Sequence, residues 1–427
     1  MKIAIFFNAN PDSGGAFQDQ WNVLNALKNY KKHKILVITA NKDVAKEFKN
    51  DFKILNISLI TDKIRSMNAS KRKDMPVREV NEDLSIESLS SRCENIKHTK
   101  KRSLIDKVVH KTCELYLKLN GIDLVIYPAP MASSFKINIP YVIKIYDLCH
   151  RTTPEFPELS ANGEYERREY LHENAIKNAT AIIVDSEQSR KDIIHYYQPT
   201  EVNSERIFPL KHLAPTYLKD KLPREVIADA TIKYKLPKDF FYYPAQLWPH
   251  KNHILIVQAL ALLKDVGIEM HAVFSGSDKP EFGVLKELNK FAKKNGISKQ
   301  IHHLGYVSNE EVNILYKQSK GLVMASHLGP SNIPYFEAFK LGVPVIAMDV
   351  HGVKEQVQNA AIIVDPNKAI DLMVAMKKLL KNKLMVKEMI KNGNNILKEW
   401  TNKDYQKQLF KIINYAEEEI EEEWLAY

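Results

Sequence analysis

Short apolar runs alternate with longer stretches of helical periodicity along most of the chain, the arrangement expected of β-α-β units in a parallel sheet. In the first half the runs Ile3–Phe7, Ile35–Ile38, Leu124–Tyr127, Tyr141–Ile145 and Ala181–Val184 read as buried strands. A second series follows at Phe240–Tyr243, Ala272–Ser275, Ile301–Leu304, Leu322–Ala325, Val345–Ala347 and Ile362–Val364. Two such series predict two doubly wound α/β domains. Pro215, Pro223, Pro237 and several charges interrupt the pattern between them, which places the junction near residues 212–236. The expected division is a first domain over 1–212, a second over 230–402, and a helix over 403–427 that either packs back on the first domain or stays a solvated face. The acidic run Glu417 to Glu423 in that last segment suits a solvated face.

The segment from about 61 to 111 breaks the alternation. It carries one basic cluster at Lys71, Arg72 and Lys73 and another at Lys97, Lys100, Lys101 and Arg102. Two readings stay open here: a solvated insertion, or a surface that meets an anionic acceptor or the inner face of a membrane.

Length and composition agree with this picture. A chain of 427 residues exceeds one ordinary core, and 44% hydrophobic with 27% charged residues is a globular balance. No apolar run approaches the ~18 residues of a spanning helix. The opening run Met1–Phe7 is too short for a secretory signal and meets Asn8, Asn10, Pro11 and Asp12, so it reads as a first strand. Cys93, Cys113 and Cys149 are too few and too scattered for a disulfide framework or a zinc site, which suits a reducing cytoplasm. The net charge of +10 favours anionic partners such as phosphates and nucleotides. Nothing resembles a zinc finger or an aromatic RNA-binding signature, so no nucleic-acid partner is expected.

Two segments carry the most chemistry. The first is Tyr242-Tyr-Pro-Ala-Gln-Leu-Trp-Pro-His-Lys-Asn-His253, which follows a strand and precedes an amphipathic run. Ligands of open α/β sheets bind at the carboxyl ends of strands, beside the helix N-termini that follow. A lysine there, next to free backbone N–H groups, makes a diphosphate site; as a solvated surface residue, Lys251 would do nothing of the kind. The second is Ala325-Ser-His-Leu-Gly-Pro-Ser-Asn-Ile-Pro-Tyr-Phe-Glu-Ala-Phe-Lys-Leu-Gly-Val-Pro-Val345, read as strand, loop, helix and strand. Glu337 is expected in the first turn of that helix, where a carboxylate gains from the helix dipole. It could cap the helix or bind a ribose diol. The loop Gly329 to Ile333 is rich in backbone donors for phosphate or sugar oxygens.

Together these segments resemble the donor-site motifs of GT-B retaining glycosyltransferases, specifically glycosyltransferase family 4. That family has a Pro-x-x-Lys-Asn-like turn after a strand, then a Glu, seven residues, Glu signature followed by Ala and a Gly-x-Pro-Val strand. The resemblance implies a GT-B fold, two Rossmann-like doubly wound domains facing across a cleft, with the donor in the second. It implies that Lys251, with Asn252 beside it, neutralises the donor diphosphate and that Glu337 binds the ribose. Gly329, Pro330, Ser331, Asn332 and Ile333 would offer groups to the phosphates and sugar. The first glutamate of the signature falls at Gly329, which puts the donor-sugar contact in question. The family's glycine-rich loop after the first strand matches Gly14 and Gly15, which would let donor phosphate approach the backbone.

Tyr146-Asp-Leu-Cys-His-Arg-Thr-Thr-Pro-Glu-Phe-Pro-Glu158 resembles a segment of one family branch in which a histidine often stands at the position of Tyr146. With that histidine replaced, Asp147, His150 and Arg151 become the catalytic candidates for positioning the acceptor and steadying charge. Asp147 as a turn cap and His150 as a packed loop histidine are the structural alternatives. The Asp185-Ser186-Glu187 and Lys191-Asp192 stretch matches the close of the first domain.

The resemblance further implies front-face substitution with no nucleophilic side chain, aided by positive charge at the leaving group from Lys251 with a guanidinium partner such as Arg151. No Asp-x-Asp-like cluster stands out, so no metal and no cofactor beyond a nucleotide-sugar donor is expected. GDP-mannose is the first choice of donor and a UDP-hexose the second, with a glycan or lipid-linked acceptor in surface polysaccharide assembly. A catalytically silent GT-B subunit binding a glycan or partner protein, a GT-B epimerase and a GT-B phosphorylase remain as alternatives.

Overall fold

Thirteen strands, the inner ones buried and the edge ones β3, β7, β10 and β13 mostly half-buried, sort into two parallel sheets in a computed structural model that describes residues 1–10, 14–57, 100–197, 203–219 and 233–425. The first sheet comprises β1 (Lys2–Phe7), β2 (Lys34–Thr39), β3 (Lys53–Asn56), β4 (Leu124–Tyr127), β5 (Tyr141–Ile145), β6 (Ala181–Val184) and β7 (Ile207–Pro209). Its order is β3-β2-β1-β4-β5-β6-β7. The second comprises β8 (Phe240–Pro244), β9 (His271–Ser275), β10 (Ile301–His303), β11 (Leu322–Met324), β12 (Val345–Met348) and β13 (Ala361–Val364), in the order β10-β9-β8-β11-β12-β13. Both orders reverse direction once, between β1 and β4 and between β8 and β11. Loops that follow those strands splay to opposite faces, and the crevice between them is where doubly wound sheets bind ligands.

The apolar runs marked all eleven expected strands. β3 and β7 went unmarked because both are short: the residues of β3 are half-buried or exposed, and Pro209 closes β7. Edge position explains their weak signal, since a strand covered on one side needs fewer apolar residues.

Helices carry clear local signals. Ser308 and Glu311 form a reciprocal capping box at the start of Asn309–Gln318. Asn41 caps Lys42–Phe48 through the amides of Asp43 and Val44. Gly14, at φ +58°, precedes Gly15–Leu27 in a conformation that a side chain disfavours.

After β13 the chain runs through Ala369–Lys381 and Lys383–Glu399, and the final helix Asn402–Leu425 then crosses onto the first sheet. Its buried face, Tyr405, Leu409, Ile412, Ile413, Ala416 and Ile420, joins the core formed by Ile3, Ile5, Val23, Leu24 and Val37. Tyr30 donates to Asn414 at 3.0 Å, and Glu417 pairs with Lys32 and His33. The acidic run is therefore split: Glu417 is buried while Glu418 and Glu419 face solvent.

Most of the basic segment at 61–111 lies outside the described residues, as do Cys93 and Pro223. From Lys100 the chain forms the helix Lys100–Leu119, which leaves Val108, Val109, Leu115, Tyr116 and Leu119 exposed among Lys107, Lys111 and Lys118. No helix among the described residues is long and apolar enough to cross a membrane.

The final helix should contribute to the stability of the first domain. Ile413→Ala is expected to cost about 2–5 kcal/mol, read as a lower thermal midpoint, while Lys411→Ala on the exposed face should leave it unchanged.

Candidate functional site

The loops at both switch points face each other; Gly14, Lys251 and residues 329–332 lie on them, while Asp147, His150 and Arg151 follow β5. After β8 the chain makes a tight turn, Pro249–Lys251, and Asn252 adopts a left-handed conformation (φ 54°) before the helix His253–Asp265. Lys251 thus sits just ahead of a helix N-terminus, where unpaired backbone amides and the dipole favour an anion. Burial pushes its pKa down, opposed by Cys149, Asp147 and Glu158 of the first domain. A lysine short of counter-charge, drawn toward two carboxylates across a cleft, is suited to a diphosphate. The Asn252 amide is used elsewhere, donating to the Pro366 carbonyl at 2.9 Å, so its side chain ties the turn to the loop after β13.

After β11 the loop leads into the helix Ile333–Leu341. Pro334 stands in the first helical positions, where a missing N–H costs nothing. That start is earlier than expected, and it moves Glu337 out of the first turn into the second. Glu337 is 6% exposed, and its carboxylate accepts from the Tyr316 hydroxyl at 2.6 Å and from the Tyr217 hydroxyl. Burial raises its pKa, partly offset by those two hydroxyls. Sequence patterning gave no sign of the tyrosines, which come from the helix Asn309–Gln318 and from the segment after β7.

Gly329 has a packing reason. A Cβ built there would lie 2.2 Å from the His351 carbonyl oxygen and 2.8 Å from Val350 Cγ2. No side chain of any length fits while the 350–353 segment is in place. The loop is held instead by Gln356, which donates to the Gly329 carbonyl and accepts from the Asn332 amide at 2.7 Å. Asn332 turns its own amide back onto the carbonyls of Leu328 and Gly329. Pro330 packs on Gly352, and the Ile333 side chain reaches Gly15, whose Cβ position lies 3.2 Å from Ile333 Cδ1.

Ser331 turns toward the first domain. Its hydroxyl donates to Asp185 Oδ2 at 2.8 Å and accepts from His212 Nε2. Behind it lies a fully buried cluster. Lys144 on β5 pairs with Asp19 at 2.7 Å and Asp185 at 2.6 Å, and His212 Nδ1 donates to Asp19 at 3.1 Å. Burial works against the charge on His212, but Asp185 and Asp19 outweigh it and raise its pKa to about 9. Asp185 is held well below the carboxylate range by His212 and Lys144 despite its burial. Asp19, Asp185 and His212 have metal-ligand spacing; Lys144 and His212 already supply two positive charges against their two carboxylates.

The residues marked on the other wall have other partners. Asp147 accepts from the Cys149 amide at 2.9 Å and so caps the turn Cys149–Thr152. His150 is fully buried, donates to Glu169 at 3.1 Å and stacks on His172 at 5.0 Å. Arg151 grips the same Glu169 through two nitrogens and lies over the rings of Tyr196 and Tyr197. Its charge is spent there, so the expected partnership with Lys251 at a leaving group is not formed in this structure. The Tyr146 hydroxyl donates to the Pro128 carbonyl at 3.0 Å. Glu158 does reach across the cleft, accepting from the His250 amide at 2.9 Å and from its ring. Burial pushes His250 down to about 4, leaving it neutral. Further bridges join Asp192 to His351 at 2.8 Å and Glu355 to the amides of Glu187 and Gln188, both at 3.1 Å.

These bridges close the two walls on each other. The crevice beside Ser331, lined by Asp185, His212, Phe336, Gln356 and Trp400, measures about 90 Å³. That is below the ~300–1,000 Å³ of small-molecule sites, and neither Lys251 nor Glu337 lines it.

Comparison with known proteins agrees with this geometry. Residues 228–396 match the family model for glycosyl transferases group 1. The O-antigen chain mannosyltransferase B of Escherichia coli is 28% identical over 233 residues, 53% of this chain and 57% of that protein. The serotype-specific mannosyltransferase WbdA of Escherichia coli is 23% identical over 257 residues, 59% of this chain but 31% of that protein. The chain therefore matches about a third to just over half the length of these relatives. Among solved structures, Anabaena HepE in complex with UDP and glucose superposes with a TM-score of 0.66 over 97% of this chain and 99% of its own, at 16% identity. The structural likeness shows the GT-B fold, and the family match with the mannosyltransferase relatives supports a glycosyltransferase.

Two outcomes follow from the site. Gly329→Glu, which restores the family signature, should lower the thermal midpoint and weaken nucleotide binding because the carboxylate cannot enter without displacing residues 350–353. For His212, a pKa raised from 6.5 to about 9 adds stability that is complete below about pH 6.5 and is lost as pH rises through about 9. The difference in thermal midpoint between the parent chain and His212→Gln should accordingly shrink over that interval.

Proposed function

We propose that the chain is a retaining, metal-independent glycosyltransferase of family 4 that moves a hexose from a nucleotide-sugar donor to a glycan or lipid-linked acceptor. One observation carries the reading: at the switch point of the second sheet the turn carrying Lys251 is tied to the loop after β11, the His327 amide donating to the His250 carbonyl at 2.8 Å, and Ile333 at the end of that loop reaches Gly15 of the first domain. The N-terminal end of the helix His253–Asp265 and the Lys251 ammonium would hold the diphosphate. Glu337 would take the ribose, sharing its oxygens with or releasing the tyrosine hydroxyls. Asp147, with His150 and Arg151 acting through Glu169, would shape the acceptor side.

In the transfer, the bond between the anomeric carbon and the diphosphate oxygen breaks. The acceptor oxygen bonds that carbon on the same face, and its proton passes to the departing diphosphate. Positive charge at Lys251 matters most where negative charge develops. Closure of the two walls excludes water that would otherwise hydrolyse the donor. Mannose is favoured by the Escherichia coli relatives and GDP-mannose is accordingly the first donor to test; HepE with UDP and glucose favours a UDP-hexose as the second. A cytoplasmic location and a peripheral contact with the inner membrane face complete the reading, supported by the exposed apolar residues among lysines on Lys100–Leu119.

Calorimetric titration with GDP-mannose, GDP, UDP-glucose and UDP tests the donor site. One of these should bind in the micromolar to millimolar range, and Lys251→Ala should weaken it at least tenfold, about 1.4 kcal/mol. No binding by the parent chain would end the transferase reading. The membrane contact is tested by co-sedimentation with vesicles containing anionic lipid: the parent chain should pellet, and the double variant Leu115→Glu, Leu119→Glu should not.

A further inference from the structure

Ser331 lies on the loop assigned to the donor, yet its side chain belongs to the other domain's interior. Three hydrogen bonds form a directional chain there. His212 Nδ1 donates to Asp19, His212 Nε2 donates to the Ser331 oxygen, and the Ser331 hydroxyl donates to Asp185 Oδ2. With both protons on the imidazole the direction is fixed: both ring nitrogens donate, and the Ser331 hydroxyl accepts from one and donates to Asp185. Lys144, wholly buried between Asp19 and Asp185, balances the remaining charge. The four charged residues come from four separate parts of the first domain: the helix Gly15–Leu27, β5, the loop after β6 and the loop after β7.

Such a cluster is a costly way to fill a core. Desolvating paired charges takes several kcal/mol per ion, and apolar residues of the same volume often serve stability better. What the charges provide is direction: a single hydroxyl, at a single position of the partner domain, completes the chain. On its other side the same loop is held by Gln356 through the Gly329 carbonyl and the Asn332 amide. With the domains together, the loop is pinned from both. With them apart, only contacts within the second domain remain: Gln356, Gly352 against Pro330, and the Asn332 amide on its own loop.

We propose that Ser331 and the buried His212–Asp185 pair form an interdomain latch, through which docking of the first domain sets the conformation of the 329–333 loop for donor transfer. His212 and Asp185 are then positioning residues, acting on the donor through Ser331. The inference rests on the donor-site reading above but makes a separate claim, about how the site is assembled.

The experiment uses the full chain with one spin label on an exposed position of each domain, comparing the parent with Ser331→Ala, His212→Gln and Ser331→Thr. In the absence of nucleotide, the interdomain distance distribution should broaden toward longer values in Ser331→Ala and His212→Gln, while Ser331→Thr, which keeps the hydroxyl, should match the parent. With the donor identified by titration, kcat should fall about tenfold in the first two variants with less than a threefold change in donor KM, and the threonine should restore it. A fall in thermal midpoint with unchanged distances and unchanged kcat overturns the latch, since the cluster would then be structural only. Equal loss in the alanine and threonine variants overturns it as well. Absence of nucleotide binding by the parent would remove the donor reading, while the distance measurement still decides the latch.

Discussion

A parallel sheet sends every strand end of one polarity to the same edge, and the order of strands decides where the loops at that edge part. Both sheets here reverse once, beside β1 and β8, the first strand of each. That single topological constraint places the turn carrying Lys251 next to the loop carrying Ser331, although 79 positions separate strands β8 and β11 from Tyr243 to Leu322 in the chain. It also brings the loops after β1, β5 and β6 to the opposing edge. The rest of the site is detail arranged on two such edges turned toward each other.

The two walls are joined by polar contacts. Glu158 with His250, Asp192 with His351, Glu355 with the amides at Glu187 and Gln188, and Ser331 with Asp185 and His212 all cross the cleft. Polar bridges exchange readily for water at modest net cost, so they suit two walls that can separate. The final helix works differently. Its buried apolar face locks the end of the chain into the core of the first sheet, which gives the two domains a permanent tether while leaving their facing edges separable.

Much of the fold was legible because buried strands and amphipathic helices leave periodic signals. The Lys251 turn and the Glu337 helix were legible because proline, glycine and asparagine punctuate them. The partners of Glu337 were not, since Tyr217 and Tyr316 lie 120 and 21 positions away and neither has a local pattern. Gly329 was visible as a departure from the family signature, but its cause, the His351 carbonyl against it, is a contact between segments. Whether His150 was packed or free for chemistry stayed open in one dimension, as did the partner of Arg151; Glu169, 19 and 18 positions further on in the helix Glu164–Asn178, takes both.

Sequence alone determined the two series of buried strands, the parallel character of both sheets and the loops that follow their strand ends. These follow from local periodicity and from rules about strand ends that need no coordinates. Only the tertiary structure decided which side chains those loops can spend on a ligand. Lys144, placed inside a strand that otherwise reads as apolar, illustrates the reason. A buried lysine is meaningful only through the carboxylates that neutralise it, and Asp19 and Asp185 reach it from elements 125 and 41 positions away. Electrostatic pairing at that range has no periodicity to announce it, because it depends on distance in space and on exclusion of water, and both are products of the fold.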